Sequence, residues 1–286
     1  MTDVLVVRRG GLGDTLLMTP VLRALRRRHP DCRLHFAGVR EFAEILLQHG
    51  VVDHVLSSED LARGAAARER LGRHAHIVSD GTLASAGAAT PETTVQTFDP
   101  RPRTAAPIAL QIAGQLGLEP VWPRDAYLRP ARVQAADGPV WLAPGSGSPG
   151  KCWPRARWLE LARRLASAGV RVDVVVGPVE QERDDPRQWP WEAEVAFVVE
   201  REPAAFARRL AEASAFVGND SGPSHLAAML AVPTVAIFGP TVASIWAPVG
   251  PHVTVSSSGC DLAGIGCAEI FDALRAHGSR ARTFCQ

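Results

Sequence analysis

The sequence predicts an α/β protein made of two Rossmann-like domains that face a central cleft, and three observations predict it. Short apolar runs without polar alternation recur along the chain, among them Val4–Val7, Val140–Ala143 and Thr234–Phe238. Such runs are the pattern of parallel strands buried on both faces. Helical segments separate them, so the connections read as βαβ units. The stretch Arg129 to Pro139 has the composition of a linker, and after it the same alternation starts again. A chain of 286 residues accommodates about two domains, and we place them at residues 1–138 and 139–286.

The elements follow in order. Val4–Val7 is a strand that runs into the turn Gly10-Gly11-Leu12-Gly13-Asp14. Thr15 to Arg28 is helical, and Pro20 either kinks that helix or marks where its regular part begins. Arg23, Arg26, Arg27 and Arg28 read as a solvated face complementing the helix C-terminus rather than an anion site. Leu34–Ala37, Val51–Leu56, Ile77–Ser79 and Thr93–Phe98 read as strands. Helices lie around Glu41–Gln48, Asp60–Leu71 and Ala105–Leu116; Ala62 to Arg73 is Ala/Arg-rich and reads as a surface helix, and the small-residue stretch Gly81 to Pro91 as a loop. Past the linker, Val140–Ala143, Val172–Val176, Ala196–Val199, Ala215–Val217 and Thr234–Phe238 are strands. Arg157–Ser167, Pro203–Ala211, Ser224–Leu230 and Glu269–Arg275 are helices.

Composition excludes several classes. Hydrophobic residues make up 46% of the chain, which is ample for packed cores. The net charge is +1, divided as +2 before residue 139 (17 basic, 15 acidic) and −1 after it (14 basic, 15 acidic). Nucleic-acid binding through bulk charge is therefore disfavoured, and any anion site must be local. Five scattered cysteines suggest a reducing compartment rather than a disulfide framework. Cys260 and Cys267 lack zinc-ribbon spacing and read as small thiols; no metal site is expected. The start carries no basic signal-peptide region, and no apolar segment approaches the ~20 residues of a membrane span. We expect a soluble, cytoplasmic protein with at most peripheral membrane contact.

Three of the glycine-bearing turns that follow strands hold most of the candidate residues. In the first, a dinucleotide fingerprint started at Gly11 would need glycine at Leu16, so an NAD reading is weak. Asp14 is open to two readings there: a first-turn acid that stabilises the helix start, or a general base at the carboxyl ends of the strands. The second turn, Pro144 to Pro154, contains Gly145-x-x-x-x-Gly150-Lys151, but Cys152 stands where a Walker loop needs Ser or Thr, which argues against P-loop ATP hydrolysis. Lys151 is the only lysine among 30 arginines, either by chance or because a compact point charge is required. The third, Gly218-Asn219-Asp220-Ser221-Gly222-Pro223-Ser224-His225, leads from a strand into a helix. Ser221 suits the N-cap and Pro223 the first turn, so the backbone N–H groups and the helix dipole can meet a phosphate or diphosphate. His225 is either a structural histidine or a phosphate donor. Glu180, after Gly177-Pro178-Val179, either starts a helix or accepts hydrogen bonds from ribose hydroxyls. Phe238-Gly239-Pro240-Thr241 ends another strand beside the same place.

Together these pieces resemble glycosyltransferase family 9, the ADP-heptose heptosyltransferases. Arg8-Arg9-Gly10-Gly11-Leu12-Gly13-Asp14 is similar to the family's N-terminal turn, Pro144 to Pro154 to its nucleotide-side loop, and Gly218 to His225 with Phe238 to Thr241 to its strongest signature. Gly177 to Glu180 is a fourth match. The resemblance implies a GT-B architecture, with acceptor on the N-terminal domain and ADP-sugar on the C-terminal one. It implies metal-independent, inverting transfer of heptose to a sugar hydroxyl of lipopolysaccharide inner core, with no cofactor beyond the ADP-sugar co-substrate. Asp14 is then the base. Lys151, Asp220, Ser221, Gly222, Pro223, Ser224 and His225 hold the donor diphosphate; Ser146, Gly147, Glu180 and Thr241 the nucleotide and sugar; Gly11 and Gly13 lie on the acceptor side. For an acidic acceptor the clusters Arg63/Arg68/Arg70/Arg73 and Arg101/Arg103 are available. The final helix is expected to pack back on the first domain. A small soluble acceptor, another NDP-sugar, and a catalytically silent nucleotide-sugar-binding module are the alternatives.

Overall fold

A computed structural model describes residues 3–59, 61, 71, 73–81, 93–128 and 137–283, with side chains to residue 277. The chain divides into two compact units, Met1–Leu128 and Arg129–Gln286. Most of the helix expected over 60–71, read as a surface helix over 62–73, most of the loop over 81–91, most of the linker, and Arg63, Arg68 and Arg70 lie outside the described residues.

The first unit holds β1 (Asp3–Val7), α1 (Leu12–Leu16), α2 (Thr19–Arg28), β2 (Arg33–Gly38), α3 (Arg40–Gln48), β3 (His54–Ser57), β4 (His76–Ser79), β5 (Thr94–Thr97) and α4 (Ile108–Gln115). Its five strands are parallel in the order β3-β2-β1-β4-β5, the doubly wound arrangement whose order reverses between β1 and β4. Val4 to Val7 are buried on both faces, which is why the run carries no polar alternation. The single helix expected from Thr15 to Arg28 is two. Leu12–Leu16 ends, and a new helix starts at Thr19 with Pro20 in its first turn, where the missing N–H costs nothing and the fixed φ suits the helix. The basic run is not simply solvated. Arg26 binds Asp53 at 2.7 Å, Arg27 binds Asp125 at 2.6 Å and Arg28 reaches the carbonyl of Gly117 at 3.4 Å, so the run ties α2 to the loop before β3 and to the segment after α4.

The second unit holds β6 (Val140–Ala143), α5 (Arg155–Ser167), β7 (Val172–Val175), α6 (Pro178–Arg183), β8 (Ala196–Val198), α7 (Pro203–Leu210), β9 (Ala215–Asn219), α8 (Gly222–Met229), β10 (Thr234–Phe238), α9 (Ala243–Trp246), β11 (Val253–Ser257) and α10 (Cys267–Thr283). Six parallel strands run β11-β10-β9-β6-β7-β8, with the order reversing between β6 and β9. β11 escapes sequence reading because it is a short, half-exposed edge strand with serine and threonine in it. α5 buries Trp158, Leu161, Ala162 and Leu165, one stripe of a 3.6-residue period. The final helix buries Cys267, Ile270 and Leu274 in the core of the second unit, together with Trp158 and Leu161 of α5. No helix among the described residues is long and apolar enough to cross a membrane.

Candidate functional site

In each unit the residues singled out by sequence gather where the strand order reverses, outside the carboxyl ends of the strands. This is where open α/β sheets place ligands.

In the first unit Asp14 sits in the first turn of α1 and accepts the Gly11 N–H on Oδ2 at 3.0 Å. Both readings of Asp14 are thus compatible: it caps the turn, and its side chain remains 35% exposed. Gly10 has φ +147°, and a Cβ built there would lie 2.6 Å from the Cβ, Cγ and Oδ2 of Asp14, so only glycine leaves room for the carboxylate. Gly11 supplies the amide just described, and Gly13 accepts the Leu17 N–H at 2.9 Å as part of the helix start. Two partners went unrecognised in the sequence. Arg8 donates to Asp14 Oδ1 through Nη2 and to Asp80 Oδ2 through Nη1, the latter at 3.4 Å. Asp80 also accepts the Arg9 N–H at 3.0 Å. An acid directly after the strand Ile77–Ser79 is the same signal that singled out Glu180, and it could have found Asp80. Arg101 and Arg103 fold onto Asp99 at 2.9 and 3.1 Å, and the Arg101 side chain, foremost, holds that carboxyl well below the usual range.

In the second unit Asn219, fully buried at the end of β9, organises the turn. Its Nδ2 donates to the Pro144 carbonyl at 2.7 Å, and its Oδ1 accepts the Trp153 N–H at 2.9 Å. The loop after β6 is thereby pinned across β9. Ser146 Oγ donates to the Asp220 carbonyl at 2.9 Å, which adds a second tie. Lys151 Nζ lies 2.8 Å from Asp220 Oδ2, and Thr241 Oγ1 donates to the same oxygen at 2.6 Å. Ser146 and Lys151 of the loop after β6 and Thr241 after β10 therefore meet on Asp220, so residues from three separate segments converge there. Asp220 itself is buried, and a carboxylate so engaged orients a cation.

α8 begins at Gly222 with Ser221 at the N-cap and Pro223 in the first turn. The Ser224 N–H is taken by the Ser221 carbonyl at 3.2 Å and Pro223 has no N–H. The turn thus offers the amides of Ser221 and Gly222 rather than all four. Ser224 Oγ donates to the Asn219 carbonyl at 2.6 Å, and His225 is buried in α8. Gly147 is exposed, its carbonyl held by Arg183 at 3.1 Å. Glu180 lies in the first turn of α6 with its carboxylate over Gly145, so close that any Cβ at Gly145 would overlap it. Beside Glu180 is a pocket of about 260 Å³ walled by Trp153, Trp189, Val179 and Pro144, with Arg155 and Arg183 on it. Cys152 lines this pocket; burial and then the Glu180 carboxylate push its thiol up, so it is a neutral group.

Comparison with known proteins agrees with the geometry. The family model described as glycosyltransferase family 9 (heptosyltransferase) matches residues 118–264, half of the chain. Lipopolysaccharide heptosyltransferase 1 of Pseudomonas aeruginosa is 42% identical over 92 residues, 32% of this chain and 26% of that protein. The match thus spans about a quarter of the curated relative's length. Among solved structures, a glycosyl transferase family 9 protein from Veillonella parvula superposes with a TM-score of 0.81 at 17% identity, covering 98% of each chain. E. coli heptosyltransferase WaaC with ADP gives 0.73 at 19% identity, over 96% of this chain and 100% of that one. The iron-containing dodecameric glycosyltransferase TibC from enterotoxigenic E. coli gives 0.64 at 18%, over 99% and 79%. At these identities the structures testify to fold, that of GT-B proteins with Rossmann-like domains, while the family model covers the segment that carries the Lys151 loop, Glu180 and the Gly218–Thr241 turns. The chain therefore belongs to glycosyltransferase family 9, the heptosyltransferase family.

Proposed function

We propose that the chain transfers a heptose from ADP-heptose to a sugar hydroxyl of a lipopolysaccharide-core acceptor, with inversion at the anomeric carbon. The observation that carries this reading is the Lys151 ammonium held 2.8 Å from Asp220 beside the N-terminus of α8. One of its three donors faces Asp220 and two remain for a diphosphate. Lys151 and the amides of Ser221 and Gly222 receive the charge that develops on the departing ADP. Asp220 holds Lys151 and Thr241 instead of meeting the diphosphate, since two anions in contact would repel. Glu180 takes the ribose hydroxyls, and the adjoining pocket takes the nucleoside end.

Asp14 removes the proton from the acceptor hydroxyl. The oxygen attacks the anomeric carbon from the face opposite the diphosphate, the carbon–oxygen bond to ADP breaks, and the product carries the inverted linkage. Lys151 and the two amides do the charge work that a metal does elsewhere, so we assign the reaction no metal. The names of the relatives support heptose and ADP as the donor's parts. We place the reaction in the cytoplasm, with at most peripheral contact to the membrane that holds a lipid acceptor.

Calorimetric titration with ADP, UDP, GDP and NAD tests the donor side. ADP is expected to bind best, and Lys151→Ala to weaken it about 10–100-fold, the worth of a charge-assisted hydrogen bond. Preference for UDP or GDP would overturn the ADP-heptose donor. ADP binding without ADP release from ADP-heptose, in the presence of lipopolysaccharide lacking inner-core heptose, would overturn the acceptor.

A further inference from the structure

We infer that Asp80 is a positioning residue for Asp14, acting through Arg8; the inference rests on the base role proposed for Asp14. Arg8 follows β1 and Asp80 follows β4, the two neighbouring strands at which the first sheet reverses its order. The Arg8 guanidinium lies between the carboxylates, bonded to Asp14 on one side and 3.4 Å from Asp80 on the other. Burial is graded along this row. The Asp80 side chain is 3% exposed, that of Arg8 13% and that of Asp14 35%. The inner acid is thus enclosed and the outer one open to a substrate.

The second unit repeats the device. Asp220 is the residue directly after β9, as Asp80 is directly after β4, and β9 stands to β6 as β4 stands to β1. Asp220 holds Lys151, the cation of the loop after β6, at 2.8 Å. In both halves, then, an enclosed acid beyond the reversal point fixes a cation from the loop across it. In the first half the cation also meets the candidate base. Without Asp80, Arg8 would have one anionic partner in this row and would neutralise Asp14. With Asp80 it is shared, and the row keeps one net negative charge whose exposed end is Asp14. Asp80 also accepts the Arg9 N–H at 3.0 Å, which fixes the backbone next to Gly10. Asn at position 80 keeps an oxygen for that bond and removes only the charge.

The first experiment needs no substrate. Thermal unfolding of the full chain is measured for wild type, Asp14→Asn, Asp80→Asn and the double variant. If Arg8 bridges the two acids, each single variant leaves it one partner, and the double variant strands a partly buried cation. The double loss in Tm is then expected to exceed the sum of the single losses by about 2–4 °C. The second experiment follows ADP release from ADP-heptose with heptose-free lipopolysaccharide as acceptor. Asp80→Asn should lower kcat about tenfold, with the ADP affinity and donor KM unchanged. Arg8→Lys, whose ammonium lacks the rigid fork that presents a separate nitrogen to each carboxylate, should lower kcat similarly and abolish any further effect of Asp80→Asn. Additive melting losses, an unchanged kcat in Asp80→Asn, or equal loss from Asp80→Asn in the Arg8→Lys background would each overturn the proposal. Wild-type chain inactive towards this acceptor would count against the transfer reading instead, and the melting cycle would still decide the bridge.

Discussion

Asp14 has both carboxylate oxygens engaged, Oδ1 by Arg8 and Oδ2 by the Gly11 amide, yet a third of its side chain is open. Each oxygen keeps a lone pair for an incoming hydroxyl. A positioned base contributes about 10²–10⁴-fold, so Asp14→Asn should lose at least that much rate. ADP affinity should persist, because every residue assigned to ADP lies in the second unit. Full activity in the variant would remove Asp14 from the role. Gly10→Ala tests the same carboxylate without changing its chemistry. An added Cβ meets Asp14 at 2.6 Å on a φ of +147°, so kcat should fall towards that of Asp14→Asn while ADP still binds. A fully active Gly10→Ala enzyme would show that the turn need not hold Asp14 where it lies.

At the scale of elements, the two ends of the first sheet differ in chemistry. The carboxyl end carries Arg8, Asp14 and Asp80. Towards the other end stand His35 on β2, His54 at the start of β3, and His74 before β4, with Asp3 on β1. The His35 ring lies 4.8 Å from each of the His54 and His74 rings. Burial, then repulsion from His74, pulls His35 from its usual 6.5 down to about 4, although Asp3 opposes the shift. Burial also lowers His76 despite its bond to Gln96. In the unfolded chain these groups take up protons near pH 6.5, whereas folded His35 resists until about pH 4. The unfolded state therefore binds more protons in that window, and stability falls as pH drops from 6.5 to 4. Melting temperatures measured across this range should decline, and His35→Gln should flatten the decline. An identical slope in that variant would show that the cluster is not responsible.

For the whole molecule, one architecture occurs twice with different chemistry at its reversal point. The first unit offers a carboxylate that can accept a proton; the second offers a lysine and helix-start amides that can meet a diphosphate. That division matches a transfer in which one substrate must lose a proton and the other an anionic leaving group. In the proposed transfer Lys151 and the amides of Ser221 and Gly222 supply the positive charge, so dialysis against EDTA should leave the transfer rate unchanged. The iron-containing neighbour TibC makes this a pointed test. Loss of activity in EDTA and recovery with iron or a divalent ion would overturn the metal-free reading.

The sequence by itself determined the class of the fold and most of its strands, because a strand buried on both faces must be a continuous apolar run wherever it stands, as Val4–Val7 and Val140–Ala143 are. It also determined where a strand turns into a helix start, since the needs of a helix start are local: Ser221 at the N-cap and Pro223 in the first turn were legible as such. Tertiary structure alone decided the partners. Arg8 and Asp80 are 72 positions apart, Lys151 and Asp220 69, and Asn219 pins a loop 66 positions before it. Sheet order brings these residues together, and no periodicity records which strands will be neighbours. The same holds for α10, whose apolar stripe shows that it packs but not on which core, and for the arginines of α2, which found loop carbonyls and acids that only the folded chain supplies.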